Sequence, residues 1–445
     1  MTVSAATSDV TSSPGRIHII GAGVAGLAAA LRLRHFGSRV TVYEAAPRAG
    51  GRCRSFADPQ LGMVIDNGNH LLLSGNHAAM AYLAECGASD RVVGPEMPEF
   101  RFVDIGSGQR WSVRPGRGPI PWWILNARRR VPDTGIADYW SVVRLLHAHT
   151  DATIAQCVDP ASVLYRRFWE PLTLAVLNTA PEHASAALMR AVLQETVAKG
   201  ADACRPLVAR TSLADALVDP AMATLAKTGV SVRVATRVRA VTATGISITS
   251  LTVEDEEVPV TPNDVVILAV PAWVAETLIG GLTVPPPGEP IVNVHYRLPA
   301  EFLRPDPVEI VGVVGGMTQW VFMRGEMASV TISAAGAVED LPAEEIISRC
   351  WPEVAAALAL GTIPVPPARV IKERRATPAQ TPAAVGMRPE ATTRYNNLLL
   401  AGDWTATGLP ATIEAAVRSG FAAAALATAR PGKPAMASSH KRGAA

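Results

Sequence analysis

Apolar and polar positions open the chain with the spacing of a strand, then a helix, then a strand. The apolar run Ile17 to Ile20, a glycine turn over Gly21 to Gly26, the alanine-rich GLAAALRLRHFG and the alternating RVTVYE predict a βαβ unit over residues 16–44, its helix closed at Gly37. Between about Ala81 and Ala209 the apolar positions recur at helical spacing in IADYWSVVRLLHAH, VLYRRFWEPLTLAVLNT and ASAALMRAVLQETVA, which predicts a helical second domain. From Val230 the period of two returns in VSVRVATRVRAVTA, followed by a polar hairpin and DVVILAVPAWVAETL, closed by Pro271 and a helix. Mixed strands are expected over residues 290–370. The segment NNLLLAGDWTATGLPATIEAAVRSGFAAAALA then reads strand, glycine loop, helix. No internal repeat is visible.

Gly21, Gly23 and Gly26 form G-x-G-x-x-G between a predicted strand and a predicted helix, the context in which the pattern signals a dinucleotide. The first glycine permits the turn and the second lets backbone amides, with those of Val24 and Ala25, approach a pyrophosphate. The third lets helix and strand pack closely. Glu44 ends the next strand eighteen residues beyond Gly26, where a carboxylate accepts from ribose hydroxyls.

Composition removes several function classes. Lys and Arg number 41 against 39 Asp and Glu, a net charge of +2, too balanced for nucleic-acid binding by bulk charge. With 49% hydrophobic and 18% charged residues the chain has ample apolar surface to fold. The five cysteines show no C-x-x-C pair, and the first residues lack the basic and apolar regions of a signal peptide; both fit free thiols in the cytoplasm. No apolar run reaches the ~18 to 20 residues of a spanning helix. His147 and His149, two apart on a predicted helix, point to different sides, so no metal is expected.

The stretch from Glu44 through Gly50, Gly51 and Arg52 resembles the glycine-glycine-arginine extension of the flavoprotein superfamily that holds amine oxidases, protoporphyrinogen oxidase and phytoene desaturases. The resemblance implies an α/β fold: a Rossmann-like FAD-binding domain of the glutathione-reductase type (residues 15–80, 210–288 and 390–430) with an interleaved helical plus mixed-sheet substrate domain (81–209 and 289–389). Residues 1–14 and 431–445, without apolar period, are expected to be disordered tails. It places Gly50, Gly51 and Arg52 along pyrophosphate and flavin, Gly402 and Asp403 at the ribityl or pyrophosphate region, and Thr412 and Ile413 at the helix start facing the pyrimidine. The backbone of Val238 meets the adenine. No cysteine lies in the stretch before Gly402, so the FAD is expected to be noncovalent.

Within the superfamily, DNGNHLLLSGN at 66–76, FWEPLTLAVLNTAPEHASA at 168–186 and LAGDWTATGLPATIEAAVRSG resemble the squalene-associated branch, the hydroxysqualene dehydroxylases of bacterial squalene and hopanoid synthesis. That implies reductive removal of an allylic hydroxyl from a polyprenyl lipid by reduced FAD. His70, with a pKa near its free value, is the candidate acid for the leaving oxygen, with Asn67 beside it. Asn69 is placed at the flavin edge, Asp66 orients the loop, and a loop-fixing role for His70 stands as the other reading. A single dinucleotide fingerprint leaves NAD(P)H or a reductase as transient electron donor. A squalene or phytoene desaturase would run the hydride the other way. A flavin amine oxidase fits less well, since Tyr395 and Trp404 are the only aromatic pair near the last motif, and a lipid-binding scaffold is the non-enzymatic alternative. Leu172, Leu174, Val176 and Leu177 read as tunnel wall or ordinary core. In GRGPIPWWILNARRRVP, Trp122, Trp123, Ile124 and Leu125 beside Arg128, Arg129 and Arg130 suit peripheral contact with the inner face of the cytoplasmic membrane, or a buried loop with a basic edge. Contact with upstream squalene-pathway enzymes is a further expectation.

Overall fold

The computed structural model describes residues 14–118, 120–302 and 308–429. Apart from Pro14, which is buried, the expected tails lie outside these residues. The strand Ile17–Ile20, the helix Val24–Leu33 and the strand Val40–Tyr43 form the βαβ unit, and the two strands are parallel and in register from Ile17 with Val40. Three later segments complete a five-stranded parallel sheet in the order Ser231–Arg233, Val40–Tyr43, Ile17–Ile20, Val265–Leu268, Leu398–Leu400. The last three strands of that order are buried on both faces, which is why they read as continuous apolar runs.

One face of this sheet is covered by the Val24–Leu33 helix lying against the C-terminal helix Ile413–Thr428. The two helices approach so closely that a Cβ at Gly420 would sit 2.2 Å from the Ala25 carbonyl oxygen. The other face carries a three-stranded antiparallel sheet of Val238–Thr244, Ser247–Val253 and Glu256–Pro259, whose Ile248, Leu251 and Val253 pack on Ile20, Val266 and Leu268.

A second, seven-stranded sheet runs Ala368–Glu373, Ile291–Arg297, Met327–Ile332, Trp320–Arg324, Val308–Val314, Phe100–Asp104, Arg110–Val113. The reading of 81–209 as helical is corrected here, because the last two strands come from that stretch; their alternating FRFVD and RWSV pair antiparallel at the sheet edge. The helix expected through His147 and His149 stops at Leu146, so both histidines lie beyond it, exposed, with His149 bonded to Asp151. Period two divides the sheet's faces. Val292, Val294, Tyr296, Val321 and Val330 pack under the helix Ala343–Ala357, while Asn293, His295, Phe322, Ser329 and Thr331 alternate with them and belong to the opposite face. Leu172, Val176 and Leu177 pack in the hydrophobic core of the helical segment.

Trp122–Leu125 forms a single 3₁₀ turn in which the two indoles part: Trp122 is exposed, whereas Trp123 turns inward and meets the Tyr139 ring edge-on at 5.8 Å. The outward tryptophan pair expected from the sequence is therefore one outward residue, because Tyr139 supplies an aromatic surface for the other.

Glu414 joins the last motif to the first. It is buried in the opening turn of the C-terminal helix, and its carboxylate accepts from the amides of Ala78 (3.1 Å) and Ala79 (2.8 Å), the uncapped start of the helix His77–Glu85, and from Arg418 (3.0 Å). Replacing Glu414 by Ala leaves these donors unsatisfied and is expected to cost about 2–4 kcal/mol, measured as a lower midpoint in urea unfolding with an unchanged slope.

Candidate active site

The glycine loop builds a cradle. Gly21 has φ +106°, and a Cβ there would meet the Ala269 carbonyl oxygen at 2.6 Å; one at Gly26 would lie 1.9 Å from the Gly21 carbonyl oxygen. Both positions demand glycine for packing alone. Gly23 is different: nothing lies within 4 Å of where its Cβ would be, and as N-cap of the Val24–Leu33 helix it leaves the first amides without a side-chain cap. An open approach to an uncapped helix start fits a dinucleotide pyrophosphate. Glu44 folds back on the loop, with Oε2 accepting from the Ala22 amide at 2.8 Å and Oε1 from the Ala46 amide at 2.9 Å. Gly50 donates its amide to the Ala22 carbonyl at 2.8 Å, which lays the glycine-glycine-arginine segment along the same loop. Val238 begins its strand just beyond Thr236, whose amide bonds the Glu44 carbonyl at 2.8 Å.

Arg52 crosses to the last motif, where its Nη2 lies 2.6 Å from the buried Asp403 Oδ1 and its Nη1 donates to the Ala376 carbonyl at 2.5 Å. Gly402, at φ +147°, donates its amide to Ser419 Oγ at 2.7 Å, and Thr412 caps the Ile413–Thr428 helix through the Ala415 amide at 3.3 Å. Residues 351 positions apart thus meet around one space.

The loop 66–70 is held from behind. Asp66 is 1% exposed; its Oδ1 accepts from Ser55 Oγ (2.6 Å) and the Leu213 amide (2.8 Å), and its Oδ2 from Arg324 Nη2 (2.7 Å). Asn67 donates to Glu373 Oε2 at 3.0 Å, and Asn69 to Thr331 Oγ1 at 3.1 Å and the Val330 carbonyl at 3.3 Å. Both side-chain amide nitrogens fix the loop to the seven-stranded sheet. His70 is left: its ring forms no hydrogen bond with the described residues and lines a small pocket with Asp66, Asn69, Leu213, Phe322 and Arg324. Burial, then the positive charge of Arg52, outweigh Asp66 and Asp403 and push its pKa down to about 4. The ring is neutral at pH 7, which corrects the expected near-ordinary pKa.

Sequence reading missed several contributors. His295 is fully buried on the site face of its strand, with Nδ1 2.7 Å from Ser329 Oγ, and burial pushes it down to about 4 as well. Arg324 is named by no motif; only its place on the sheet brings it to Asp66. Gln380, fully buried, donates to the Leu177 carbonyl (2.6 Å) and accepts from the Ala411 amide (2.8 Å), while the buried Arg388 donates to the Leu409 carbonyl (2.7 Å), so both brace the segment leading to Thr412. Asn178, inside FWEPLTLAVLNTAPEHASA, joins Glu289, Thr377 and Ala334 through one side chain. Trp404 donates its indole N–H to the Val270 carbonyl at 2.9 Å and packs beneath the parallel sheet with Tyr395, so these two rings belong to core rather than to a cage around an amine.

The family model for flavin containing amine oxidoreductases matches residues 24–428. Hydroxysqualene dehydroxylase of Rhodopseudomonas palustris is 45% identical over 414 residues, 93% of this chain and 98% of that protein. The chain belongs to the flavin-containing amine oxidoreductases, among the hydroxysqualene dehydroxylases. The Sinorhizobium fredii hydroxysqualene dehydroxylase is 44% identical over the same share of both chains. Among solved structures, a putative protoporphyrinogen oxidase from Exiguobacterium aligns over 93% of this chain and 98% of its own with a TM-score of 0.64 at 15% identity, a likeness of fold. Membership makes the protein a flavin-dependent oxidoreductase, and the open cradle at Gly23 fits that cofactor.

Two outcomes follow. Gly23→Val fills the cradle without straining a backbone at φ −71°, and is expected to give folded protein that purifies without FAD, read from the absence of flavin absorbance at an unchanged far-UV spectrum. His295 binds its proton less readily folded than unfolded, so its contribution is complete above pH 6.5 and lost as pH falls toward 4. Urea stability should fall on the order of 3 kcal/mol more across that window than in His295→Asn.

Proposed function

We propose that the protein is an FAD-dependent hydroxysqualene dehydroxylase, which replaces the allylic hydroxyl of hydroxysqualene by hydrogen to give squalene. The observation that carries the reading is the 42–45% identity with three relatives of that name over more than nine-tenths of the chain. In this reading residues 15–80, 210–288 and 390–430 form the FAD-binding domain and 81–209 with 289–389 the substrate domain. FAD is held noncovalently by Gly21, Gly23, Val24, Ala25, Gly26, Glu44, Gly50, Gly51, Arg52, Val238, Gly402, Asp403, Thr412 and Ile413. When bound and reduced, FAD supplies the hydride.

The chain's own residues orient the hydroxyl and manage its proton. The C–O bond breaks, a C–H bond forms with the hydride pair, and the departing oxygen takes a proton to leave as water. His70 is the free polar group on the loop, and its neutral imidazole serves as the hydrogen-bond partner that fixes the hydroxyl and relays a proton from solvent, taking it up on one ring nitrogen as the other gives its proton to the departing oxygen. Asp66, Asn67 and Asn69 hold that loop still, and the apolar wall of Leu213 and Phe322 limits water. The electron donor is NAD(P)H or a reductase that reaches the flavin transiently. The enzyme works in the cytoplasm, where it takes its water-insoluble substrate at the inner face of the membrane or from the enzyme that makes it.

The test is anaerobic. Reduced enzyme mixed with hydroxysqualene is expected to regain the oxidised flavin spectrum while squalene accumulates in the lipid extract, and His70→Phe to slow that step at least a hundredfold with FAD retained. Flavin that stays reduced here, while squalene or phytoene bleaches the oxidised enzyme, moves the assignment to a desaturase.

A further inference from the structure

Twelve large apolar side chains are exposed among the described residues, and six of them, Ile120, Trp122, Leu125, Ile136, Trp140 and Val143, fall within twenty-four residues. The fold gathers them. The turn Trp122–Leu125 is seated on the turn Ile136–Tyr139 by the Trp123–Tyr139 contact, and Ile136–Tyr139 runs directly into the helix Trp140–Leu146. Tyr139 locks this arrangement from inside, its hydroxyl accepting from the Val131 amide at 3.0 Å. Ile136, Trp140 and Val143 are spaced four and three apart, which places them on one side of the continuous turn and helix, while Tyr139 and Leu145 are buried. Two tryptophans each 65% exposed on one local surface are far from what a solvated face requires.

The rim is basic. Arg117, Arg128, Arg129 and Arg144 are exposed, and among the described residues none is paired with a carboxylate. The two acids within the same stretch are already engaged: Asp133 bonds Arg167 at 2.8 Å, and Asp138 accepts from the Gly135 amide at 2.7 Å. Exposed indoles and aliphatic side chains surrounded by unpaired guanidinium groups match the two layers of an anionic bilayer surface, apolar beneath and phosphate above. No helix of the described residues is long and apolar enough to cross a membrane, so contact is from one side.

We propose that the surface built from Ile120 to Arg144 docks the enzyme on an anionic lipid bilayer, with Trp122 and Trp140 as the inserted anchors and Arg117, Arg128, Arg129 and Arg144 on the headgroups. This rests on the reading of the substrate as a membrane-dissolved lipid, and gives the enzyme a fixed seat where that substrate resides.

The full-length holoenzyme is mixed with vesicles of phosphatidylcholine alone or with phosphatidylglycerol and recovered by flotation. The wild type is expected to float with the anionic vesicles and to be released by salt. Trp122→Ser with Trp140→Ser should reduce binding at least tenfold, and Arg128→Gln with Arg129→Gln by about twentyfold on anionic vesicles only, each with wild-type flavin content and melting temperature as the check on folding. Turnover of hydroxysqualene in detergent should be unchanged in these variants while turnover from vesicles falls. A wild type that floats but turns over no hydroxysqualene leaves the docking intact and removes the dehydroxylase reading. A wild type that stays with the soluble fraction at low salt, variants that float like it, or a surface that binds only a purified protein of the same pathway overturns the docking.

Discussion

The carboxylate of Asp66 is the point at which the seven-stranded sheet is fastened to the hairpin of Ser55–Asp58 and Met63–Asp66 that carries the loop. Buried to 1% exposure, it receives Ser55 from the preceding strand, paired antiparallel with its own, the Leu213 amide from the approach to the 219–227 helix, and Arg324 from the seven-stranded sheet. A buried pair of this kind gains little over a well-packed apolar contact, but removing one partner leaves an uncompensated charge that costs about 3–5 kcal/mol. Its geometry is therefore enforced. Everything that follows in the loop, from Asn67 on Glu373 to Asn69 on Thr331, takes its position from that anchor, and His70 is presented at the end of it with its ring unengaged.

A second closure joins the ends of the chain. Arg52 on Asp403 and Glu414 on the Ala78 and Ala79 amides bring the first and last motifs together, and the close approach at Gly420 lets their helices touch. The same two closures set the electrostatics of the site. Burial, with Arg52 near it, keeps the His70 ring neutral. Neutral His295 on the sheet behind obeys the same rule for the same reason: the cost of charging a desolvated ring exceeds the attraction of Asp66.

Much of this was legible in the residues. The βαβ unit, the glycine fingerprint, the return of the parallel sheet near Val265 and at Leu398 and the terminal helix all follow from local periodicity, because a strand buried on both faces and a helix opened by a glycine turn each leave a pattern within a few residues. The hairpin of Phe100–Asp104 and Arg110–Val113 was lost among helical neighbours, since two strands of four or five residues carry little periodic signal. Arg324, His295, Gln380 and Arg388 were invisible for a different reason. Each sits in an ordinary local sequence, and its partner stands on another element, 258 residues away for Arg324 and 203 for Gln380, 34 for His295 and 21 for Arg388.

The sequence by itself determined the class of protein: where the glycine-turn βαβ unit lies, that the cofactor is a flavin, and which branch of the flavoproteins the chain resembles, because these rest on backbone shape and short-range spacing. Tertiary structure decided which polar groups are free to act. It spent Asn67 and Asn69 on holding the loop, left His70 open but neutral, turned Trp123 inward and left Trp122 and Trp140 exposed, because hydrogen-bond partners, desolvation and exposure are properties of the packed surroundings and are written in no single stretch of chain.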